Sequence, residues 1–328
     1  MIVLRLCIFV LVVGLSAIVT AAELRQLAII DIPGRPGFDD VAVLKGNLII
    51  AHRGEGSVEV FDTAKRRVVA QVKGLDGPRC VVADERTGRV FVGNADGQTI
   101  SVISSKDWKV EDTIPLHAAP YALALSPDGS RLYSANWRDR SVTVLEVGRG
   151  YRHLANVPLD GTPADIFVDP HGLVYATLQD RREVVSLDNN FRVSRRYPLQ
   201  ASQPTGVIAD DAGKRLFIAV RFAVVALDAD TGSELARAAA PAGVNALWFE
   251  PSTETLYAVA DGTVSIFTTK GGLRVLDEIR TDVKGHTIAF DPSRRQIFIP
   301  GGREGRSKLL ILRRLEANPQ DGLELANR

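Results

Sequence analysis

One short pattern recurs along this chain at a nearly constant spacing. It runs Pro, a short apolar stretch, Asp/Ser-Pro-x-Gly, then Leu-Tyr/Phe-x-Ala. Aligned on it, the equivalent positions are Phe38, Pro78, Pro120, Pro163, Pro204, Val244 and Gly285, at intervals of 40, 42, 43, 41, 40 and 41 residues. A period of this length with four short apolar stretches per unit is the mark of a β-propeller. One such unit cannot bury both faces of its sheet, so the units must stack into a ring around a central channel. The expected fold is all-β: a seven-bladed propeller of four-stranded antiparallel blades.

The clearest unit starts at Pro120. Tyr121–Leu125 reads as an apolar inner strand and Ser126-Pro-Asp-Gly129 as a tight reversal. Arg131–Ala135 and Ser141–Leu145 follow as second and third strands around the polar loop Asn136–Arg140. Leu154–Pro158 is the outermost strand. Equivalent third strands are Ser57–Asp62, Ile100–Ile103, Val184–Asp188, Val224–Asp228 and Val264–Phe267. First hairpins fall at Thr87-Gly88, Pro170-His171-Gly172, Ala212-Gly213 and Pro292-Ser293.

The seventh unit supplies three strands, the last at Leu309–Leu312. Its missing outer strand is expected from the other end of the chain, where Leu24–Asp31 reads as a strand with no unit of its own. That pairing closes the ring and removes open sheet edges.

Residues 1–22 read as a secretory signal peptide: Arg5, an apolar run from Leu6, then Val19-Thr20-Ala21-Ala22. The propeller is expected over 23–316 and a polar tail over 317–328. Export to the periplasm or medium follows as an expectation. The chain holds 40 Lys and Arg against 39 Asp and Glu. Without the leader's single arginine it is close to neutral, which argues against nucleic acid and against a membrane surface as main partner. Of two cysteines only Cys80 lies beyond the leader, so no intrachain disulfide is available, and no CxxCH haem-attachment motif occurs.

The units carry Pro-x-x-[Val/Leu/Ile]-Ala-x-[Ser/Asp]-Pro-x-Gly-x-x-Leu-Tyr-x-Ala followed by Ser-Val-x-Val, best seen in Pro120–Ala135 with Ser141–Val144. This resembles the YVTN-repeat, YncE-like periplasmic propellers over roughly Pro36 to Arg313. The resemblance implies the seven-bladed fold and says little about activity, because related propellers include lactonases, haem d1 domains and amine dehydrogenase heavy chains. Ala226–Leu235 also resembles the blade-docking motif of quinoprotein dehydrogenases, but the Trp of that motif is replaced by Ala236.

The residue after each anchor should ring one mouth of the channel: Asp39, Arg79, Tyr121, Ala164, Thr205, Asn245 and His286, with Asp40, Cys80 and Asp165 next. The ends of the second strands add His52, Asn94, Asn136 and Thr177, and nearby loops add His117, Trp137 and Arg221. An architectural ring would repeat one residue type. This one mixes acid, base, phenol, amide and imidazole, which suits a small polar ligand, although solvated loop residues explain the same list. The candidate ligand-binding set is Asp39, His52, Arg79, Tyr121, Asn136, Asn245 and His286. Cys80 beside Arg79 reads either as an activated thiol or as a small buried residue.

No GxSxG elbow, P-loop, HExxH or paired-histidine spacing is present. The first reading is therefore a monomeric scaffold that holds a small polar ligand or a periplasmic protein, with no resident cofactor. A lactone hydrolase is the alternative, using Asp39, Asp40 or His286 as base and Arg79 for an oxyanion. A redox accessory protein holding haem d1 or a quinone through a histidine is the third, and a divalent metal stays open with it.

Overall fold

In the unit that starts at Pro120, the strands are Pro120–Leu125, Arg131–Asn136, Ser141–Glu146 and His153–Pro158, paired antiparallel in that order. Gly129 takes the left-handed conformation (φ +68°) that the Ser-Pro-Asp-Gly turn requires. The computed structural model describes residues 24–148, 150–210 and 214–315. Within them the same four-stranded sheet occurs seven times, and the seven sheets form a ring. The expected leader over 1–22, the tail over 317–328 and the hairpin at Ala212-Gly213 lie outside the described residues.

The ring closes through its two ends. Leu24–Asp31 pairs antiparallel with Arg306–Arg314, in a sheet completed by Gln296–Arg303 and Ala289–Asp291. Leu24 packs into the core between the sixth and seventh blades. Ile30 packs into the core between the seventh and the first. The closing strand thus seals two interfaces, and Lys308 holds Asp31 at 2.5 Å.

Core packing follows the repeat. Seven clusters of buried apolar side chains fill the seven spaces between neighbouring blades. One joins Val90 and Val92 of the second blade to Ile49, Ala51 and Val60 of the first. Another joins Tyr133 and Val144 to Ile166 and Ala176. Second and third strands are buried along almost their whole length, while outer strands such as Lys109–Pro115 are mostly exposed. The core is therefore a set of wedges between sheets, and the axis is left to the inner strands.

Those inner strands are less regular than the repeat implies. In the first four blades they begin at the anchor residue, at Phe38, Pro78, Pro120 and Pro163. In the fifth, sixth and seventh they begin later, at Val207, Ala246 and Ala289. In the fifth, Thr205 and Gly206 still bond to Ala219, and a Cβ on Gly206 would stand 2.5 Å from the Asn245 carbonyl oxygen, so the chain there lies close against the sixth blade. Among the described residues no helix is long and apolar enough to span a membrane.

Candidate functional site at the channel mouth

In each of the first four blades, inner-strand pairing slips by one residue just after the anchor. The slips fall between Phe38 and Asp40, Pro78 and Cys80, Pro120 and Ala122, and Pro163 and Asp165. The extra residues are Asp39, Arg79, Tyr121 and Ala164. A bulge of this kind interrupts the two-residue alternation of a strand and re-aims its side chains. Consecutive pairs then face the same space: Asp39 with Asp40, Tyr121 with Ala122, and Ala164 with Asp165 line one cavity of about 210 Å³. Arg79, Asn245 and His286 line it too, and Val207 supplies the fifth blade. Since all seven blades contribute, the cavity lies on the axis.

Its polar groups are close together but only partly bonded. Asp39 Oδ2 is 3.7 Å from Arg79 Nη1, and Asp39 Oδ1 is 3.9 Å from His286 Nε2. Both distances are too long for hydrogen bonds. Asp39 Oδ2 is buried and has no hydrogen-bond partner. The Arg79 guanidinium carbon lies 3.9 Å from the centroid of the Tyr121 ring. Tyr121 in turn stacks with Trp137, centroids 6.1 Å apart and planes 22° from parallel. A stacked guanidinium spends its face on the ring and keeps its N–H donors in the plane.

Asp40 and Asp165 lie deeper and do something different. Asp40 accepts the N–H of Val41 at 2.8 Å through one oxygen and that of Val81 in the next blade at 2.9 Å through the other. Asp165 accepts the N–H of Ile166 and of Val207 in its next blade, both at 2.9 Å. Each carboxylate thus pins two inner strands together. Burial raises both to about 7, against the main-chain N–H groups that favour the charged form. Neighbouring charge adds to the rise, from Asp39 on Asp40 and from Asp40 on Asp165.

Two of the seven candidate ligand residues do not face the cavity. His52 is fully buried: Nδ1 meets Glu59 Oε1 at 3.1 Å and Nε2 meets the Arg35 carbonyl oxygen at 2.6 Å. Asn136 is also fully buried. Its amide nitrogen donates to Ser141 Oγ at 3.0 Å and Thr143 Oγ1 at 2.9 Å, and its oxygen accepts from Ser134. The Asn94 amide nitrogen likewise donates to Thr99 and Ser101, at 3.0 and 2.9 Å. In the first three blades the last residue of the second strand is therefore a latch on the third strand and points into its own blade. That role repeats in several units, which explains the polar residue there without a ligand.

The other rim expectations divide. Asp39, Arg79, Tyr121, Asn245 and His286 converge on the cavity, with Ala164 between them. Thr205 turns away and donates to the Val244 carbonyl at 2.7 Å. Cys80 is buried, and burial together with the Asp40 charge holds its thiol well above the ordinary range; the activated-thiol reading does not fit. Among the described residues no cluster of three or more His, Cys, Asp or Glu side chains could hold a metal ion. Trp137 carries more weight than its place in a loop suggested, because it extends the Arg79–Tyr121 stack outward. The Pro-Tyr and Asn-Trp pairs in one unit were the only sequence sign of it.

No protein-family model and no curated protein matches the sequence. Among solved structures the chain is similar to Kuenenia stuttgartiensis hydrazine synthase, with a TM-score of 0.75 and 15% identity. The match covers 88% of this chain and 98% of that one. At this identity the likeness establishes the propeller fold and goes no further.

Proposed function

We propose that this protein is an exported, YncE-like propeller that binds a small polar ligand at the channel mouth. The observation that carries the reading is the unmet pairing of Asp39 and Arg79. A buried carboxylate oxygen without a partner is costly to keep. Asp39 itself lines a cavity that also holds a guanidinium whose N–H donors reach no protein acceptor within hydrogen-bond distance among the described residues. A ligand carrying one acceptor and one donor satisfies both. His286 and Asn245 stand beside the pair and add polar contacts, while the rigid ring holds the set in place.

Catalysis finds less support. Asp40 has a pKa suited to a general base near neutral pH, but both its oxygens are occupied by main-chain N–H groups. Arg79→Ala and His286→Ala separate the readings when ligand binding and lactone turnover are both measured. Binding lost in Arg79→Ala, with the fold intact and no turnover, supports the scaffold. Turnover of a lactone that vanishes with His286→Ala moves the protein to the hydrolase class.

A protein partner on the same face is the second reading. The two exposed aromatic side chains among the described residues, Trp137 and Phe222, both sit in loops that join second to third strands, the loops at the channel mouth. Pull-down with Phe222→Ser against the native chain distinguishes this reading from ligand binding, since Phe222 does not line the cavity.

A further inference from the structure

A second cavity of about 190 Å³ lies beside the first, and Arg79 and Tyr121 line both. Each is smaller than the ~300 Å³ at the lower end for drug-sized ligands, so each takes a fragment. Their shared wall makes them two compartments for one molecule.

The side compartment has a distinct chemistry. Trp137 offers a partly exposed indole, 38% accessible. Arg53 and Arg138 add positive charge. Arg53 is matched by Asp96 at 3.0 and 3.2 Å, while Arg138 has no hydrogen bond or ion pair among the described residues. Phenol and indole together offer a surface for a flat ring, with positive charge at its edge. The axial compartment is lined by the Asp39 carboxylate and by Arg79, whose guanidinium donors have no hydrogen-bond partner among the described residues.

Resting on the reading of the mouth as a ligand site, we infer that the ligand is an aromatic α-amino or α-hydroxy acid. Its carboxylate takes the in-plane N–H donors of Arg79. Its α-ammonium or α-hydroxyl donates to Asp39. Its ring lies in the side groove against Trp137. The carboxylate and the donor must be neighbours in the ligand because Asp39 and Arg79 are only 3.7 Å apart. The ring must be joined to that head by a short link, because Arg79 itself separates the two compartments. Recognition of a carboxylate by arginine is strong and directional, so the head fixes the orientation and the groove selects the side chain.

Calorimetric titration tests this with phenylalanine, 3-phenyllactate, phenylacetate, phenethylamine, glycine and glycolate. Phenylalanine or phenyllactate should bind about tenfold or more tightly than the ringless pair, as one good aromatic contact gives. Phenylacetate and phenethylamine, which each lack half of the head, should bind more weakly by a similar factor. Trp137→Ala should remove the ring preference, so that phenylalanine and phenyllactate bind no more tightly than glycine and glycolate. Arg79→Gln should weaken every carboxylate, with thermal unfolding confirming that the variant is folded. If glycine and glycolate bind and the ring adds nothing, the groove assignment is overturned while the mouth site stands. If ring-bearing acids bind and Arg79→Gln leaves them unaffected, the head assignment is overturned. Failure of all six to bind at millimolar concentration overturns the ligand class.

Discussion

Asp40 of the first blade accepts the main-chain N–H of Val81 in the second at 2.9 Å, so one carboxylate ties two blades together beside the channel. Asp165 and Val207 repeat the tie between the fourth and fifth blades. Burial raises both acids from 3.8 to about 7 in the folded chain. A folded-state pKa above the unfolded one means that the native state holds the proton more tightly. The resulting stability is complete below about pH 4 and is lost as pH rises through about 7. Melting temperature should therefore fall from pH 5 to pH 8, and Asp165→Asn should flatten that slope. An unchanged slope would show that Asp165 does not titrate in this window.

The opposite slope should appear at low pH. Asp128 is held down to about 2 by hydrogen bonds from Ser126 and Ser130, at the reversal of the third blade. A depressed folded-state pKa contributes stability above the unfolded value and loses it as pH falls through the folded one. Asp128→Ala should lower the melting temperature at pH 6 and make little difference at pH 2. Thermal unfolding at both pH values measures it.

His52 and His286 should separate structure from binding. Removing the His52 ring leaves the Glu59 carboxylate and the Arg35 carbonyl without that partner in a fully buried site. The expected cost of His52→Ala is about 3 kcal/mol, read by denaturant unfolding, with affinity at the mouth retained in the folded fraction. His286→Ala should do the reverse, weakening ligand binding with little effect on unfolding.

The closing strand should matter to solubility as much as to stability. A chain without residues 24–31 leaves Arg306–Arg314 as an open edge and uncovers the apolar faces that Leu24 and Ile30 seal. Such a chain should associate at concentrations where the full propeller stays monodisperse, as size-exclusion chromatography with light scattering will show. A monodisperse truncated chain would mean that three strands suffice in the seventh blade.

Cys80 should be inert in the native state. Its side chain is buried at the channel wall, and the thiol is held well above the ordinary range. A thiol reagent at pH 8 should modify it only after denaturant is added. Rapid native modification would place the inner strand of the second blade in frequent opening.

Much of the architecture was legible in the residues because each unit repeats one physical problem. Alternating apolar residues in Arg131–Asn136 and Ser141–Glu146, with turn formers between Ser126 and Gly129, define strands and reversals without tertiary information. The strand Leu24–Asp31 was legible as a partner for the last blade because that blade lacked its fourth strand. Asp39, Arg79 and Tyr121 were legible as rim residues where the repeat changes its residue type at a bulge, while Asn245 and His286 reach the same cavity from strand starts with no such bulge. His52 and Asn136 look just as variable from blade to blade, yet they face inward as latches, because side-chain direction depends on the register of a pairing.

The repeat determined the number of blades, their strand order and the strand that closes them, since periodic burial is a local property of sequence. Tertiary structure alone decided which polar residues meet. Asp39 and Arg79 lie 40 positions apart, in different blades, and come within 3.7 Å because a bulge in each inner strand turns its extra side chain onto the shared axis.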